Sequence, residues 1–445
     1  MCRRLVYLTI LILFLVVGGV GYASPETIVP GVMWYDTSDN ILSAHGAGVI
    51  KVGDTYYLIG MYMDNDPNNV IQLPGGHTMP LFVGITCYSS TDFANWTFEN
   101  YILTPTQGGD LDRDNWVGRP KVIYNDTTGQ YVMYVNAGKG AGVATCPTVN
   151  GNYTYLGSYA PLDYGMGDMT LFKDDDGKAY LIARASFMHI YELTSDYLDV
   201  SNLAGTIRDR NAEAPAMFKA DGVYYLLVSD STWWTSNDNY YYTATSIAGP
   251  WSKEPADFTP NSDNTFDSQT TYVQPIQGSS TTSYVYLGDR WSEWSFGNSR
   301  YIWLPLTVNG TTLTMDWHDF WAIDTATGEW SIPTCTDIED MHVQSIMCSL
   351  VPGSKGALSY GRAAVTIKDN CANPLVGVEV TGTFAGDLNE TVVETTGDDG
   401  VAVLITTEEA RKPSFEICID DVIGTLPYDS GDNVETCKIF FSFNW

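Results

Sequence analysis

The chain has 445 residues, 53 of them acidic against 22 basic, for a formal net charge of −31. Like-charge repulsion excludes nucleic acid and anionic membrane surfaces as partners. Charged residues make up only 17% while aromatics reach 13%, and no helical periodicity is sustained, so a helical or disordered protein is excluded in favour of an all-β one with aromatic-lined grooves.

At the N-terminus, Arg3 and Arg4 precede an apolar run from Leu5 to Val20, and Gly21-Tyr22-Ala23 offers a small-residue cleavage motif before Ser24. Residues 1–23 are expected to be a secretory signal peptide. The run falls short of the roughly 20 residues that span a bilayer, and an uncleaved anchor is the alternative. The mature protein is expected to be secreted, free of the membrane after cleavage. Export permits disulfides. Without Cys2 seven cysteines remain, an odd number that leaves one unpaired or paired elsewhere.

Residues 24–334 repeat one phrase five times: an apolar strand, a turn rich in Gly and Asp, and a returning strand led by tyrosine. The returning strands carry Tyr57, Tyr131, Tyr180, Tyr225 and Tyr284, 45 to 74 residues apart. Each phrase is a β-hairpin signal, and repetition at this period suits four-stranded propeller blades. Gly84–Ser90 and Tyr241–Ser246 read as outer strands, each followed by a tryptophan, Trp96 or Trp251. The expected architecture is a five-bladed β-propeller. Aligned on the hairpins, the first strands open with His45, Gly118, Asp168, Glu213 and Gln269. In a closed ring these positions converge on one axis.

Within the second repeat, Asp110-Leu111-Asp112-Arg113-Asp114 resembles the start of a calcium loop, but Lys121 stands where the closing glutamate belongs. A structural calcium is therefore unsupported. With no CxxC pair and the five histidines far apart in sequence, no cofactor is required. From Cys335 onward tryptophan disappears until Trp445 and Val-Thr alternation takes over. Residues 335–445 are expected to form an immunoglobulin-like β-sandwich acting as a spacer or adhesion module. Cys418 and Cys437, 19 apart, plausibly staple its C-terminal edge, a closure that stabilises by on the order of 3 kcal/mol in the chain-entropy account.

Asp168 and Glu213 open successive repeats and are flanked by small or apolar residues. Desolvation and a neighbouring negative charge both raise a carboxyl pKa toward the range of a general acid, and glycoside hydrolysis uses carboxyl pairs in this way. The alternative is that either residue caps a strand or pairs with Arg119 or Arg208. Trp116, Trp233, Trp234, Trp291 and Trp294 lie in loops near these motifs, where flat rings either stack on sugars or fill gaps between blades. Thr232, Asn237 and His45 are candidate polar contacts to a saccharide.

Residues 31–330 resemble glycoside hydrolase family 43, and within it the exo-β-1,3-galactanase branch (galactan 1,3-β-galactosidases). The resemblance rests on Ala44-His45-Gly46-Ala47-Gly48, Arg119–Asn125, Asp168–Gly177, Glu213-Ala214-Pro215-Ala216, Ser268-Gln269-Thr270 and Gly288-Asp289-Arg290-Trp291. It implies Glu213 as general acid, Asp168 as the carboxylate that tunes and orients it, and Gln269 in place of the Asp base used by most members. It also implies inversion, with acid and water-activating group roughly 6.5–9.5 Å apart. A monomer acting on a polysaccharide or oligosaccharide is expected. Two positions depart from the branch, which has Glu where this chain has Met61 and Gly118. Losing acceptors for sugar hydroxyls discriminates against the old substrate. Either specificity has shifted, or activity has weakened as far as a non-catalytic glycan-binding propeller.

Overall fold

The computed structural model describes residues 26–440 apart from 65, 67–68, 73–77, 255–256, 293–295, 335–337 and 354–357. The expected signal peptide, Cys335, Trp294 and Trp445 lie outside the described residues. The first body is a ring of five antiparallel four-stranded sheets. Their innermost strands are His45–Val52, Gly118–Asn125, Met169–Lys173, Ala212–Ala220 and Gln269–Gln277, opening blades 1 to 5. Each packs against the next, and the fifth returns to the first. The ring is a closed five-bladed propeller. Outside it, Thr27–Ile28 pairs with Trp321–Ile323, so the two ends of the propeller segment meet in one small sheet.

Strands in the middle of a blade are covered on both faces by neighbouring blades, so their sequences are nearly continuous in apolar and aromatic residues. Val223–Asp230 is buried at six consecutive positions. Trp96, Trp303 and Trp321 fill the interior near the ring closure, Trp96 meeting Trp303 edge-on at 5.8 Å. The stretches expected to be outer strands are the third of four: Thr97–Leu103 and Ser252–Lys253 lie beyond them. Their tryptophans stand at the entry to those edges, where a large ring covers the end of the core.

The second body is a seven-stranded sandwich. One sheet holds Met341–Pro352, Ser359–Asp369 and Val401–Ala410; the other holds Glu390–Thr395, Glu379–Gly386, Phe415–Ile423 and Cys437–Phe440, in that order. Its strands have one wet face and therefore alternate: in Phe415–Ile423 the side chains of Phe415, Ile417, Ile419 and Val422 point to the core. The fourth strand sits with the second sheet, unlike the constant-type immunoglobulin arrangement, which keeps it with the first. Cys418 and Cys437 form a disulfide and Cys371 is disulfide-bonded as well, while Cys87, Cys146 and Cys348 are free thiols. Among the described residues no helix is long and apolar enough to cross a membrane.

Three inner strands share an irregularity. The ladder slips between His45 and Gly48, between Gly118 and Lys121, and between Glu213 and Ala216. At the same point Gly46, Arg119 and Ala214 take left-handed backbone angles, with φ of 57°, 55° and 49°. For Arg119 and Ala214 this costs on the order of 1–2 kcal/mol each, so the surroundings must hold them there. A bulge re-aims the side chains beside it. Here it re-aims the opening residues of the strands, Glu213 into the axial cavity and His45 onto Asp289.

Candidate active site

A cavity of about 520 Å3 opens at the axial end where the inner strands begin, lined by Trp116, Arg119, Asp168, Arg184, Glu213, Ser231, Trp233, Trp234, Gln269, Trp291 and Met79. Its size falls in the range of small-molecule sites. Asp168 precedes the inner strand of blade 3, Glu213 is the second residue of that of blade 4, and Gln269 is the first of that of blade 5. The bulge pairs Glu213 with Ser229 across the blade-4 hairpin. An unbroken ladder from the same turn would have placed it opposite Asp230.

These three residues and Arg119 form one network. Arg119 donates from Nη2 to Asp168 Oδ2 (3.2 Å) and to Gln269 Oε1, and from Nη1 to the Thr270 carbonyl (3.0 Å). Trp291 Nε1 donates to the same Gln269 oxygen at 2.9 Å. Gln269 Nε2 in turn donates to Ser229 Oγ at 3.0 Å and to Glu213 Oε1 at 3.3 Å. Glu213 Oε2 accepts from Ser231 Oγ at 2.9 Å and faces Arg184 Nη1 at 3.4 Å. Burial, then the negative charge of Asp168, push the Glu213 carboxyl up to about 7, against the opposing pull of Ser231, Arg184 and Arg119. A carboxylic acid so placed holds its proton near neutrality, as a proton donor must.

The pairing of a carboxylate with Arg119 and a role in the site are not alternatives: the Asp168–Arg119 pair is itself part of the cavity wall. The expected gap of roughly 6.5–9.5 Å between acid and water-activating group is not present in this arrangement, since Gln269 Nε2 and Glu213 Oε1 touch. A buried amide N–H without an acceptor costs about 1–3 kcal/mol, and Glu213 is an acceptor within reach. A sugar and its water have to part them.

Trp116, Trp234 and Trp291 build an aromatic wall, with Trp234 6.0 Å from Trp116 and 5.5 Å from Trp291, ring centre to ring centre. His45 is not on it. The ring is 3% exposed, stacks on Tyr301 at 4.9 Å and pairs with Asp289 at 3.0 Å. The bulge that should aim it at the cavity instead lets Gly46 N–H join it on the Asp289 carboxylate, at 2.9 Å, and a buried carboxylate needs both partners. Thr232 and Asn237 also miss the main cavity. They bond each other at 2.6 Å, and Asn237 ties down Asp230, so they shape the loop that carries Trp233 and Trp234.

Sequence reasoning passed over Arg184, Ser229, Ser231 and Lys121. Ser229 and Ser231 were reachable by counting the blade-4 hairpin register back from its Asp221-Gly222 turn, had the bulge been anticipated. Lys121 is fully buried beneath the site and donates to the Gly46 carbonyl at 2.8 Å, its pKa far below that of a free lysine because burial penalises the charge. It holds the blade-1 bulge from below. The two departures from the galactanase pattern also have a structural basis. Met61 is fully buried. A Cβ on Gly118 would lie 2.6 Å from the Trp116 ring, so the indole occupies the space a side chain at 118 would need.

A propeller with a carboxyl pair in an aromatic-walled axial cavity defines a glycosidase, acting on O-glycosyl bonds of carbohydrate. The sequence profile of glycosyl hydrolases family 43 matches residues 43–290, and the chain belongs to that family. The exo-β-1,3-galactanase of Phanerochaete chrysosporium, solved with β-1,3-galactotriose, is 28% identical and superposes with a TM-score of 0.65 over 91% of this chain and 97% of that one. A putative exo-β-1,3-galactanase of Bifidobacterium bifidum is 32% identical, with a TM-score of 0.59, over 65% of this chain and 97% of its own. Among curated relatives, a xylan 1,3-β-xylosidase of a Vibrio species is 25% identical over 41% of this chain and 35% of its own length. A β-D-galactofuranosidase of Aspergillus niger is 27% identical over 38% of this chain and 55% of its own length. The matched segments thus span about a third and about half of those two relatives.

Proposed function

We propose that the protein is a secreted, exo-acting glycosidase that removes terminal galactose from β-1,3-linked galactan or arabinogalactan side chains with inversion. The observation that carries the reading is the Asp168–Glu213 pair at the floor of the axial cavity, with the glutamate held protonated near pH 7. Glu213 gives its proton to the leaving oxygen; Asp168 sustains that protonation and is itself fixed by Arg119. The galactanases that share the fold over most of the chain support the choice of substrate.

Gln269 is the water-activating group in this reading. A neutral amide accepts a proton poorly, whereas its imidate accepts one at Nε2, and the charge of that imidate would rest on Oε1, where two donors, one of them the Arg119 cation, converge. In the free site the Nε2 proton passes to the Glu213 carboxylate that touches it; once sugar and water part the two, Glu213 gives that proton to the leaving oxygen while Nε2 takes one from the water whose oxygen bonds to the anomeric carbon, which restores both amide and carboxylate. Glu213→Gln should lower release of galactose from β-1,3-galacto-oligosaccharides by about 100-fold or more with the fold unchanged. Proton NMR of the first product formed should show the α-anomer. Ordinary turnover by Glu213→Gln refutes the assignment of the acid, and a β-anomer refutes inversion.

A second reading is favoured by Gly118 and Trp116: with a ring where the galactanases carry a carboxylate, the cavity binds a glycan without cleaving it. Calorimetry with galacto-oligosaccharides beside an assay of reducing ends separates the two, since a lectin gives heat and no product.

A further inference from the structure

Among its described residues the sandwich carries no catalytic constellation, yet two ion pairs join it to the propeller around one turn beside the candidate site. Thr265, Phe266 and Asp267 all take left-handed backbone angles, with φ of 52°, 55° and 57°. Three successive residues other than glycine in that region persist only where other contacts hold them. The turn ends two residues before Gln269 and so sets where the blade-5 strand begins. Within the propeller it is gripped by Arg290, which donates to the carbonyls of Phe266 at 3.0 Å and Asp267 at 3.3 Å, and by Ser236 from the loop of Trp233 and Trp234, which donates to Asp267 Oδ1.

The propeller also holds Thr265 Oγ1 through the Asn239 N–H at 2.7 Å and faces Asp267 Oδ2 with Arg290 Nε at 3.6 Å, and the sandwich adds a second cation to that same carboxylate oxygen. Lys438 Nζ lies 3.7 Å from Asp267 Oδ2 and 2.7 Å from Glu435 Oε1. Glu435 is anchored in turn, accepting from the Ile346 backbone N–H at 2.6 Å. A second ion pair crosses between the bodies, Lys368 to Asp319 at 2.7 Å, and it reaches the same place. Trp317 donates to Asp319 at 2.9 Å while its ring packs on Phe266 at 5.6 Å.

We propose that the C-terminal sandwich is a working part of the catalytic unit, with Lys438 as a positioning residue that holds Gln269 in place through Asp267 and the left-handed turn. This stands beside the expectation of a spacer or adhesion module as a different role for the same domain. The proposal rests on the reading of Gln269 as part of the machinery. Lys438 touches no substrate; it acts by fixing a strand start whose displacement by an ångström is costly to rate.

The test is steady-state kinetics of the full chain on a β-1,3-galacto-oligosaccharide for Lys438→Met and Lys438→Arg. Lys438→Met should lose about tenfold in kcat with KM within about twofold and an unchanged thermal midpoint; Lys438→Arg, which keeps the charge, should recover most of the loss. If Lys438→Met does not fold, Glu435→Gln, which releases the lysine from its anchor, carries the same expectation. A kcat within twofold of the parent, a loss that the arginine does not restore, or a loss that matches the fraction unfolded by circular dichroism overturns the proposal. Gln269→Ala keeps the two readings apart. If it is inactive while Lys438→Met is normal, only the proposal on the sandwich fails; if Gln269→Ala turns over normally, the role of Gln269 itself is wrong.

Discussion

Blades 3, 4 and 5 and blades 1 and 2 present equivalent strand openings to the same axis and do opposite things with them. Asp168, Glu213 and Gln269 reach the cavity, where Arg119 joins Asp168 to Gln269 and Gln269 in turn donates to Glu213. His45 turns inward onto Asp289, and Gly118 yields its space to the Trp116 ring. One half of the ring turns polar side chains into the cavity, and the other presents an aromatic surface and keeps its histidine on a buried carboxylate. Equivalence along a repeat fixes where a residue stands. It does not fix which way the side chain faces, because a bulge and one unpaired carboxylate are enough to redirect it.

The comparison can be broken most forcefully at His45. Among the described residues, His45→Ala leaves the Asp289 carboxylate, 1% exposed, with the Gly46 N–H as its one hydrogen-bond donor. Denaturant titration should show a loss of about 3 kcal/mol, with KM unchanged; a raised KM at unaltered stability would put the imidazole back in contact with sugar. Next in size is Gly118→Glu. The new side chain collides with Trp116 and should cost about 1–3 kcal/mol. Adding Trp116→Ala should restore the stability, as read from the same titration, and if the double variant stays as unstable as the single one the steric account is wrong.

Asp168→Asn sharpens the other half. In the proposed mechanism Glu213 works only while protonated, so kcat/KM should fall as pH rises through about 7. Removing the Asp168 charge removes one of the two causes that raise the Glu213 pKa, so this alkaline limb should move to lower pH. A shift of one unit lowers the rate at pH 8 by about tenfold. A pH profile whose limb stays in place would detach Asp168 from the tuning of the acid.

The ring was legible because blade strands buried on both faces leave long aromatic and apolar runs at a regular period, and the sandwich because a sheet with one wet face must alternate. The carboxyl pair was legible from its place in the repeat. The bulges were not: Gly46, Arg119 and Ala214 share a backbone conformation that only one of the three residue types advertises. Without them the register at Glu213 is off by one, and Ser231 on Glu213 and Ser229 on Gln269 cannot be identified. The inward turn of His45 was hidden for a related reason, since its partner Asp289 is 244 residues away and is brought near only by ring closure. The contact of Gln269 with Glu213 reflects how two polar groups satisfy each other in a largely apolar hollow, which spacing along the chain does not report.

Arg119 is the rivet of the site. Its single guanidinium fastens two separate stretches of chain at three acceptors, Asp168, Gln269 and the Thr270 carbonyl, while its own backbone is strained to deliver it. Variation among descendants of this fold should therefore be uneven: the rim of indoles can be exchanged to suit a new sugar with the rivet left alone, whereas no replacement at the rivet, lysine included, can grip all three acceptors with one planar fork.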